Sequence, residues 1–575
     1  MRRYWGAGVA TVALAPTALL GVLGWTHRWN ADDAFIIFRV VDQFLHGNGP
    51  VYNVGERVEA YTSPLWTALL SAGAGIVGAS HVEWVAVGLG LALSVAGLAL
   101  ATVAALVLNG GLSRRDALLL PLGAAVFAVL PPAWEFATSG LETGLTTGWL
   151  GTAYLATVLV ARSDAWPLRR LSRERGADAA AVLAGLGPLV RPDLAIFSVA
   201  LLGLIVGLAP PVTRRAVVRR LALAAALPVL YELFRMVYFA ALVPNTALTK
   251  EAGGSDWARG ISYLWNTLTP YALLAPLVAL SAWSFAIAAG EARSGQRDLA
   301  LLRTVPVVAG ALSMLYVVRL GGDFMHARML LPGIFAILMP VAVVPVRRTA
   351  VELGWVGGLA AWAAVCAFGL RPPAITPFRV LDERQFYLDF SQMRHPVTLY
   401  DYRNASWAVT GADVRLRSAR GERAATFAGP GNLGAIGDLP LAPGAPHRFI
   451  AASGNIGLFG YAAGRDVFVV DVRGLTDPVA SRLRITKRKR AGHEKYMITG
   501  WFVARFADPR QWPNRVIIST RAAHRALGCG GLRRVLADVD KPLTPSRALS
   551  NVGDSFANTF LRFSRWPGKA ARELC

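Results

Sequence analysis

Charged residues are scarce in this chain of 575 residues, because Asp, Glu, Lys and Arg make up only 17% of it. Soluble globular domains carry roughly 25% charged residues, whereas 54% of the residues here are hydrophobic. The charges are also bunched between long apolar runs that water could not solvate. The composition therefore excludes a soluble globular protein and predicts an α-helical polytopic membrane protein.

Acidic residues are the scarcer charged class: 36 Asp and Glu stand against 59 Lys and Arg, for a net charge of +23. Such an excess can indicate nucleic-acid binding, but no run of Lys and Arg interleaved with aromatic residues occurs. The basic residues lie in short loops beside apolar segments, where they set membrane orientation. The charge therefore predicts a lipid bilayer as partner and argues against nucleic acid.

Cysteine is rare as well, and Cys366, Cys529 and Cys575 show no metal-binding or redox spacing. Cys529 and Cys575 can form one disulfide if their domain faces an oxidising compartment, which the sequence leaves open. The chain has no Walker loop, dinucleotide fingerprint, G-x-S-x-G or H-E-x-x-H motif. These absences argue against a nucleotide-fed reaction. No cofactor is indicated, while a divalent cation stays open and its ligands are unknown.

The apolar runs are long enough to span a membrane, since a spanning helix needs about 20 apolar residues. Eleven candidate spans follow from the sequence: 5–24, 83–107, 117–131, 144–161, 178–190, 193–208, 221–243, 269–289, 304–320, 329–345 and 350–369. The first resembles the apolar part of a signal peptide, but it lacks a small-residue cleavage site. We interpret it as an anchor.

Lys and Arg concentrate on alternate loops, and loops rich in these residues face the cytoplasm. The N-terminus, with Arg2 and Arg3, and the loop with Arg114 and Arg115 are therefore predicted to be cytoplasmic. Counting the run 65–78 as a span would break this alternation, so we interpret it as a short re-entrant or interfacial helix. Eleven spans place the C-terminus outside.

From residue 371 the composition becomes polar and rich in Gly and Pro, and 448–452 and 466–472 resemble strands. The sequence thus predicts a membrane domain over 1–370, with a catalytic outer loop at 25–82. It also predicts an extracytoplasmic α/β cap domain over 371–575.

The first outer loop contains an acidic pair, Asp32 and Asp33, at the start of an amphipathic helix. The polar positions after the pair repeat at helical spacing, and they are Arg39, Asp42, Gln43 and His46. This pattern is typical of a helix lying on a membrane surface. One Asp can serve as the helix cap, whereas a second carboxylate beside it raises the affinity for a proton or a cation. The pair is therefore a candidate base for an acceptor hydroxyl.

Two further outer segments carry polar groups for which a structural role is favoured over a chemical one. Glu59, Tyr61 and Thr62 precede Pro64 and Trp66, a pattern typical of a hydroxyl-capped turn with Pro at the first helical position and an interfacial Trp. Glu142 fits an acid in the first turn of the next helix. We nevertheless keep Glu59, Tyr61, Thr62 and Glu142 as candidate substrate-binding residues.

Other outer loops combine cations with acids and amides at the predicted lipid boundary. Arg191 and Asp193 flank a proline at membrane depth, where they form either a salt-bridged hinge or part of a site. Cations in these loops could hold a phosphate head group, and the candidates are Arg191, Lys250, His326 and Arg328. Asp193, Asn245 and Asp323 are the neighbouring candidates for substrate binding.

These segments together resemble a known family. The segment G-N-G-P-V-Y-N-V-G-E-R-V-E-A-Y-T-S-P-L-W follows the Asp pair, and S-G-L-E-T, R-P-D, G-G-D-F-M-H-A-R and G-L-T-D-P come later. They resemble the GT-C class of polyprenyl-phosphate-sugar glycosyltransferases. More narrowly, the chain is similar to the mycobacterial terminal beta-1,2-arabinofuranosyltransferases of arabinogalactan and lipoarabinomannan synthesis.

The resemblance implies an eleven-helix GT-C-like membrane domain with a periplasmic cap, located in the plasma membrane with the active site outside. It implies decaprenylphosphoryl-arabinofuranose as donor and cell-wall arabinan as acceptor. By position, Asp32 and Asp33 match the family's acidic pair, so one of them is the catalytic candidate. A beta donor that yields a beta product implies retention at the anomeric carbon, whereas a single displacement would invert it.

Three alternatives differ in function. The chain could transfer another polyprenyl-phosphate sugar, such as mannose. It could also be a lipid-linked sugar transporter, but transporters place polar groups near the bilayer midplane, whereas these lie at the outer ends of the spans. A cell-wall-binding module on a membrane anchor would leave the outer carboxylates and cations of residues 1–370 unexplained.

Overall fold

The computed structural model describes residues 7–110, 117–162, 173–251, 253–347, 349–372, 380–428, 437–488, 490 and 492–575. Arg2, Arg3, Arg114 and Arg115, which contributed to the predicted orientation, lie outside the described residues. The chain divides into two units, each built from three segments of sequence. Unit 1 comprises Met1–Trp29, Ala86–Val229 and Ser255–Phe386, and unit 2 comprises Asn30–Val85, Leu230–Gly254 and Tyr387–Cys575.

This division differs from the one that the composition indicated at residues 370 and 371. The last segment of unit 2 begins at Tyr387, but unit 2 also includes most of the first outer loop and the segment Leu230–Gly254. Composition follows the chain in order, whereas a compact unit can collect segments that are far apart in sequence. The predicted catalytic loop therefore belongs largely to the same unit as the C-terminal residues.

Unit 1 is mainly helical. Its helices are Ala7–Thr26, Leu122–Val129, Pro131–Glu135, Thr143–Ala161, Arg173–Gly185, Gly187–Val190, Ala195–Leu208, Trp257–Leu268, Leu274–Arg293, Arg297–Leu320, Leu331–Leu338 and Ala350–Phe368. Helices Val82–Leu108, Arg214–Phe239 and Glu383–Ser391 carry residues of both units. Strands Leu118–Leu120 and Val344–Val346 pair antiparallel, with Leu119 opposite Pro345.

Within unit 1, glycines allow two helices to pack closely. A Cβ added at Gly144 would lie 2.2 Å from the carbonyl oxygen of Gly90, and one added at Gly151 would lie 2.1 Å from that of Gly97. Small residues at such spacing let the backbones of membrane helices approach each other. Substitution of either glycine would force helices Val82–Leu108 and Thr143–Ala161 apart.

Six helices among the described residues are long and apolar enough to cross a membrane. They are Ala79–Leu108, Thr143–Ala161, Arg214–Phe239, Leu274–Arg293, Arg297–Leu320 and Ala350–Phe368. This confirms the coarser prediction of a mainly helical, multi-pass membrane protein. The predicted count of eleven remains a prediction.

The other predicted spans coincide with shorter elements. The segment 117–131 contains a strand followed by the helix Leu122–Val129, and 178–190 is interrupted between Gly185 and Gly187. The run 65–78 forms the helix Pro64–Val77, which has 14 residues. Hydrophobicity identified these segments as apolar, but backbone pairing and glycine interrupt the helices.

Unit 2 contains a parallel sheet of three strands in the order Ala424–Phe427, Phe449–Ser453, Phe468–Asp471. Ala424 lies opposite Phe449, and Ile450 lies opposite Phe468. The two later strands overlap the segments 448–452 and 466–472 predicted from sequence. Parallel strands are usually covered on both faces, and here the central strand is buried along its whole length.

The helices of unit 2 include those of the first outer loop. They are Asp32–Leu45, Pro64–Val77, Asn245–Lys250, Ser406–Ala419, Leu458–Ala463, Thr499–Phe506, Ile517–Leu527, Gly530–Asp540, Pro545–Phe560 and Pro567–Leu574. The core of the C-terminal part forms around Val470, Trp501, Phe502 and Phe563. Cys529 and Cys575 form a disulfide, which agrees with the pairing that the sequence left open.

Candidate active site

The acidic pair lies in the first turn of the helix Asp32–Leu45. Ala31 is the N-cap residue, and no side chain caps the helix, so the interpretation of one Asp as the cap is wrong. Asp32 is only 7% exposed, and its Oδ1 accepts a hydrogen bond from the backbone N–H of Leu458 at 2.7 Å. Asp33 is half-buried. The two carboxyl groups therefore differ in burial although they are adjacent in sequence.

A glycine makes the contact with Asp32 possible. A Cβ added at Gly457 would lie 1.9 Å from the carbonyl oxygen of Asp32, so a larger residue there would push the helix away. Burial raises the pKa of Asp32 to about 7, and the neighbouring charge of Asp33 acts in the same direction, although the hydrogen bond from Leu458 opposes both. Asp32 therefore takes up a proton close to neutral pH.

The raised pKa of Asp32 predicts a pH-dependent stability. The unfolded chain releases this proton near the ordinary pKa of 3.8, whereas the folded protein holds it up to about 7. The folded state thus binds more protons between these values, and the free energy of unfolding falls by up to roughly 4 kcal/mol as pH rises from about 4 to 7. Asp32→Asn removes this term while its amide oxygen can still accept from Leu458.

We therefore compare the melting temperatures of Asp32→Asn and the unchanged protein at each pH. The difference, variant minus unchanged protein, should be more positive at pH 8 than at pH 5. Thermal unfolding of both proteins in one detergent at the two pH values measures this difference. Asp42→Asn, on the same helix, is the control and should show no such pH-dependent gain. A melting-temperature difference that is equal at both pH values would contradict the assignment.

Arg39 and Gln43 on the polar face of the helix Asp32–Leu45 are buried, which corrects the expectation of a helix lying on a membrane surface. Arg39 is 1% exposed, and its guanidinium donates to the carbonyl oxygens of Tyr52 at 2.9 Å, Gly464 at 2.6 Å and Val467 at 2.7 Å. The Gln43 amide donates to the carbonyl of Arg465 at 3.2 Å. The amphipathic pattern thus predicted the helix correctly, but its polar side is used to bind other segments of unit 2.

Glu59 and Tyr61 lie in a hydrogen-bonded group on the first outer loop. The Glu59 carboxylate accepts from the Arg235 Nε at 2.6 Å and from the Tyr231 hydroxyl at 2.7 Å. The Tyr231 and Tyr61 hydroxyls are 3.2 Å apart. Because the Glu59 carboxylate is buried and paired with Arg235, its position fits a structural ion pair.

The turn that follows Glu59 has the predicted geometry. The Ser63 hydroxyl accepts from the backbone N–H of Trp66, and Pro64 occupies the first turn of the helix Pro64–Val77. Thr62 is half-buried. Trp66 is fully buried, so the prediction of an interfacial Trp is wrong.

Asn245 lies against the G-L-T-D-P segment of the same unit. Its amide donates to the carbonyl oxygens of Gly474 at 2.7 Å and Leu475 at 3.1 Å. One turn later the Thr249 hydroxyl also donates to Gly474, at 2.6 Å. Lys250 is half-buried, and its ammonium has no acid partner among the described residues of the chain. Asn245 therefore positions a backbone segment, while Lys250 keeps an unpaired charge.

A buried charge cluster in unit 1 unites five of the residues singled out from sequence. The Glu142 carboxylate accepts from Arg328 at 3.0 Å and lies 3.5 Å from the Arg191 guanidinium. Arg191 also donates twice to Asp193, at 2.6 and 2.8 Å, and Arg328 lies 3.5 Å from Asp323. Three carboxylates thus surround two guanidinium groups.

This geometry changes the interpretation of three predictions. Glu142 is the residue before the helix Thr143–Ala161 and makes no capping hydrogen bond, so its role as a helix acid is not supported. Burial alone would raise the pKa of Glu142, but Arg328 and Arg191 outweigh it and hold the pKa at about 2. Arg191 and Asp193 form the predicted salt bridge. Because Arg191 and Arg328 are already paired, neither is placed as an open phosphate ligand.

His326 does not provide a cation in this structure. Its Nε2 lies 3.0 Å from the Tyr271 hydroxyl and its Nδ1 lies 2.8 Å from the Asn266 amide oxygen. Burial lowers the pKa of His326 to about 3, so the imidazole is neutral at pH 7. The prediction that His326 holds a phosphate as a cation is therefore not supported, and the residue positions its loop instead.

Sequence reasoning missed a second buried charge cluster, in unit 2. Arg505 donates to Glu56 at 2.6 Å and to Asp477 at 3.0 Å, and it lies 3.5 Å from Asp540. Glu56 and Arg505 are 449 residues apart in the chain, so no local pattern links them. The G-L-T-D-P segment was the available signal, since Asp477 also accepts from the backbone N–H groups of Val479 and Ala480.

The thirteen candidate residues therefore separate into two sets. Unit 2 contains Asp32, Asp33, Glu59, Tyr61, Thr62, Asn245 and Lys250, and unit 1 contains Glu142, Arg191, Asp193, Asp323, His326 and Arg328. Among the described residues no group of three or more His, Cys, Asp or Glu side chains is placed to hold a metal ion.

Comparison with known proteins identifies the family. A model of the AftB family C-terminal domain matches residues 447–570. The terminal beta-(1->2)-arabinofuranosyltransferase of Mycobacterium tuberculosis is 35% identical over an alignment that covers 96% of this chain and 95% of that protein. The chain belongs to this family of arabinofuranosyltransferases.

Two further comparisons accompany this assignment. The terminal beta-(1->2)-arabinofuranosyltransferase of Corynebacterium glutamicum is 32% identical to this chain, over an alignment that covers 92% of this chain and 82% of that protein. The crystal structure of ArnT from Cupriavidus metallidurans bound to undecaprenyl phosphate aligns with a TM-score of 0.43 and 14% identity. That alignment covers 81% of this chain and 90% of that chain. The two sequence relatives confirm the predicted family, and the protein is a glycosyltransferase.

Proposed function

We propose that this arabinofuranosyltransferase takes arabinofuranose from decaprenylphosphoryl-arabinofuranose and adds it to the ends of cell-wall arabinan in arabinogalactan and lipoarabinomannan. The product is a terminal beta-1,2 linkage. The observation that carries this proposal is the 35% identity to the mycobacterial transferase over 96% of the chain. The acidic pair at the start of the helix Asp32–Leu45 supplies the chemistry.

Asp33 is the proposed catalytic carboxylate and Asp32 is the proposed positioning group. Asp32 is nearly buried and its Oδ1 is engaged by the backbone of Leu458. Asp33 is only half-buried, so a substrate can reach its carboxylate more readily. A carboxylate at this point can act as a nucleophile, as a base or as a charge opposite a sugar cation.

Retention of beta configuration is compatible with two routes. In the first, an Asp33 oxygen bonds to the anomeric carbon as the bond to the phosphate oxygen breaks. The acceptor hydroxyl then displaces Asp33 and loses its proton to a base. In the second, Asp33 stabilises an oxocarbenium-like state while the leaving phosphate accepts the proton of the acceptor hydroxyl. A mass increase of one arabinosyl group on the intact protein, absent in Asp33→Asn, would identify the first route.

Lys250 is the proposed phosphate ligand in unit 2. Of the four cations selected from sequence, Arg191 and Arg328 are paired with carboxylates, and His326 is neutral at pH 7. Lys250 has no such partner among the described residues of the chain, and it is half-buried. An ammonium in this setting can pair with a phosphate without displacing another group.

We also propose a GT-C-like arrangement in the plasma membrane, with the acidic pair and the cap domain on the extracytoplasmic side. The excess of basic residues on alternate loops supports this orientation. The disulfide between Cys529 and Cys575 supports it as well, because disulfides persist in oxidising compartments.

The proposed activity is tested by incubating the purified protein with decaprenylphosphoryl-arabinofuranose and a short arabinofuranosyl acceptor. We expect one added arabinose, with the beta-1,2 linkage read by NMR. Decaprenylphosphoryl-mannose tested in parallel distinguishes the alternative donor. Lack of transfer by folded protein, together with movement of the lipid-linked sugar across proteoliposomes, would instead favour a transporter.

A further inference from the structure

Arg259 is a buried cation that the proposed chemistry does not use. It lies on the helix Trp257–Leu268 and is 6% exposed. Its Nε and Nη2 are buried and make no hydrogen bond. The described residues also place no carboxylate within salt-bridge distance of its guanidinium. This separates Arg259 from Arg191 and Arg328, whose charges are paired.

The contacts around Arg259 show that its helix is held firmly. The helix is capped by Asp256, whose Oδ1 accepts from the backbone N–H of Arg259 at 3.2 Å. A Cβ at Gly260 would lie 1.7 Å from the carbonyl oxygen of Val318. Tyr263, one turn after Arg259, donates to the carbonyl of Met325 at 2.8 Å. Arg259 therefore lies on the same buried side of the helix as Gly260 and Tyr263, and the Asp256 carboxylate caps the backbone of this helix.

The opposite face of this helix is apolar and exposed. Trp257, Ile261 and Trp265 recur every four residues and are each almost half exposed. Tryptophan concentrates at membrane–water boundaries, where its ring lies at the level of the lipid head groups. The exposed apolar face of this helix can therefore contact lipid at that level. Arg259 is thus expected at the depth where lipid phosphates lie.

A guanidinium keeps its positive charge in proteins, and a buried charge without a partner is strongly destabilising. Native proteins therefore pair such groups, and a buried polar group left unpaired requires an explanation. The partner of Arg259 must then come from outside the described chain. At the lipid boundary a phosphate oxygen fits, because guanidinium binds phosphate through two parallel hydrogen bonds.

We propose that Arg259 binds the phosphate of a polyprenyl-phosphate lipid, as the sugar donor or as the spent carrier, with the lipid chain beside Trp257, Ile261 and Trp265. This inference rests on the proposed function, because that function supplies a polyprenyl phosphate. It adds a ligand that the sequence patterns did not select, since Arg259 is one of many arginines near apolar segments and lies in no motif.

The test measures how far decaprenyl phosphate raises the melting temperature of the full-length protein in detergent. We expect Arg259→Gln to be at least as stable as the unchanged protein without lipid, because an unpaired buried charge is removed. Its apparent affinity for decaprenyl phosphate should fall about ten-fold or more, as for loss of a hydrogen bond to a charged group. The affinity of Arg259→Lys should lie between those of the unchanged protein and Arg259→Gln, because lysine keeps the positive charge and loses the two parallel N–H donors of the guanidinium.

Three controls decide which part of the lipid is recognised. Arg319→Gln, an exposed arginine at the end of the neighbouring helix, should bind decaprenyl phosphate as the unchanged protein does. Decaprenol, which lacks the phosphate, should change the melting temperatures of Arg259→Gln and of the unchanged protein equally. Inorganic phosphate and phosphatidylglycerol distinguish a free anion and an ordinary head group from the polyprenyl phosphate.

Several outcomes would overturn the proposal. A lower lipid-free melting temperature of Arg259→Gln would show a structural role, and unchanged affinity for decaprenyl phosphate would exclude binding. Equal stabilisation by phosphatidylglycerol or inorganic phosphate would exclude a dedicated polyprenyl-phosphate site. Because binding is measured without transfer, loss of binding in Arg259→Gln supports the site even if the proposed sugar is wrong. Transfer with an unchanged donor affinity in Arg259→Gln would refute the site while leaving the function intact.

Discussion

Asp33→Asn is expected to lower arabinosyl transfer by about 10²–10⁴-fold, the range typical of a positioned acid or base. The substitution keeps the shape of the side chain and removes the negative charge. Asp33 is half-buried in the first helical turn, beside Asp32. The fold should therefore tolerate asparagine, and the loss should appear in kcat with the melting temperature nearly unchanged.

Two neighbouring substitutions make this result specific. Asp32→Asn should reduce transfer less than Asp33→Asn, because the asparagine oxygen can still accept from Leu458. Asp42→Asn lies on the same helix, where Asp42 pairs with Arg465 at 3.3 Å, and it should leave kcat close to that of the unchanged protein. Full activity in both Asp32→Asn and Asp33→Asn would refute the catalytic assignment.

Arg505→Met is expected to destabilise the protein by about 3–5 kcal/mol, because removal of one partner leaves the other charges buried and uncompensated. Two buried carboxylates, those of Glu56 and Asp477, depend on this guanidinium. The carboxylate of Asp540 lies 3.5 Å away and is 40% exposed. Even with Arg505 in place, burial raises the pKa of Glu56 to about 8. Methionine retains the apolar volume of the side chain, so the effect reports the lost charge.

The pH dependence of Arg505→Met provides a second readout. At pH 5 the uncompensated carboxyl groups can take up protons, whereas at pH 8 they carry more charge, so the destabilisation should be larger at pH 8. Arg510→Met is the matched control, because the Arg510 side chain is 78% exposed and pairs with one carboxylate, that of Asp508. That control should change stability by about 0.5 kcal/mol or less. Equal losses for the two variants, measured by thermal unfolding in one detergent, would contradict the proposed cluster.

Much of the local structure could be predicted because it depends on neighbouring residues. Hydrophobic runs of sufficient length predicted membrane helices such as Thr143–Ala161 and Arg297–Leu320. Short apolar runs bounded by Gly predicted the strands Phe449–Ser453 and Phe468–Asp471. Polar residues at helical spacing predicted the helix after the acidic pair. In each case the determining interactions act over a few residues, so the sequence contains the signal.

The candidate site was less predictable, because the state of a charged residue depends on distant partners. Arg191, Arg328 and His326 resembled open cations in the sequence. In the structure, Glu142 pairs with Arg191 and with Arg328, which is 186 residues away from it in the chain. Burial keeps His326 neutral. None of the three is therefore an open cation. Arg259 shows the opposite case, since an arginine without a local motif becomes a candidate only when its burial and its lack of a carboxylate partner among the described residues are known.

The sequence by itself determined a helical membrane protein with an acidic pair at the start of a helix, and it determined the family. Periodicity, composition and short motifs carry that information along the chain. Only the tertiary structure decided which charges are paired, that Asp32 is buried against Leu458 while Asp33 is less buried, and that Arg505 joins three acids. The physical reason is that burial and charge pairing arise between segments far apart in sequence, and these two quantities control how a carboxylate or a guanidinium behaves.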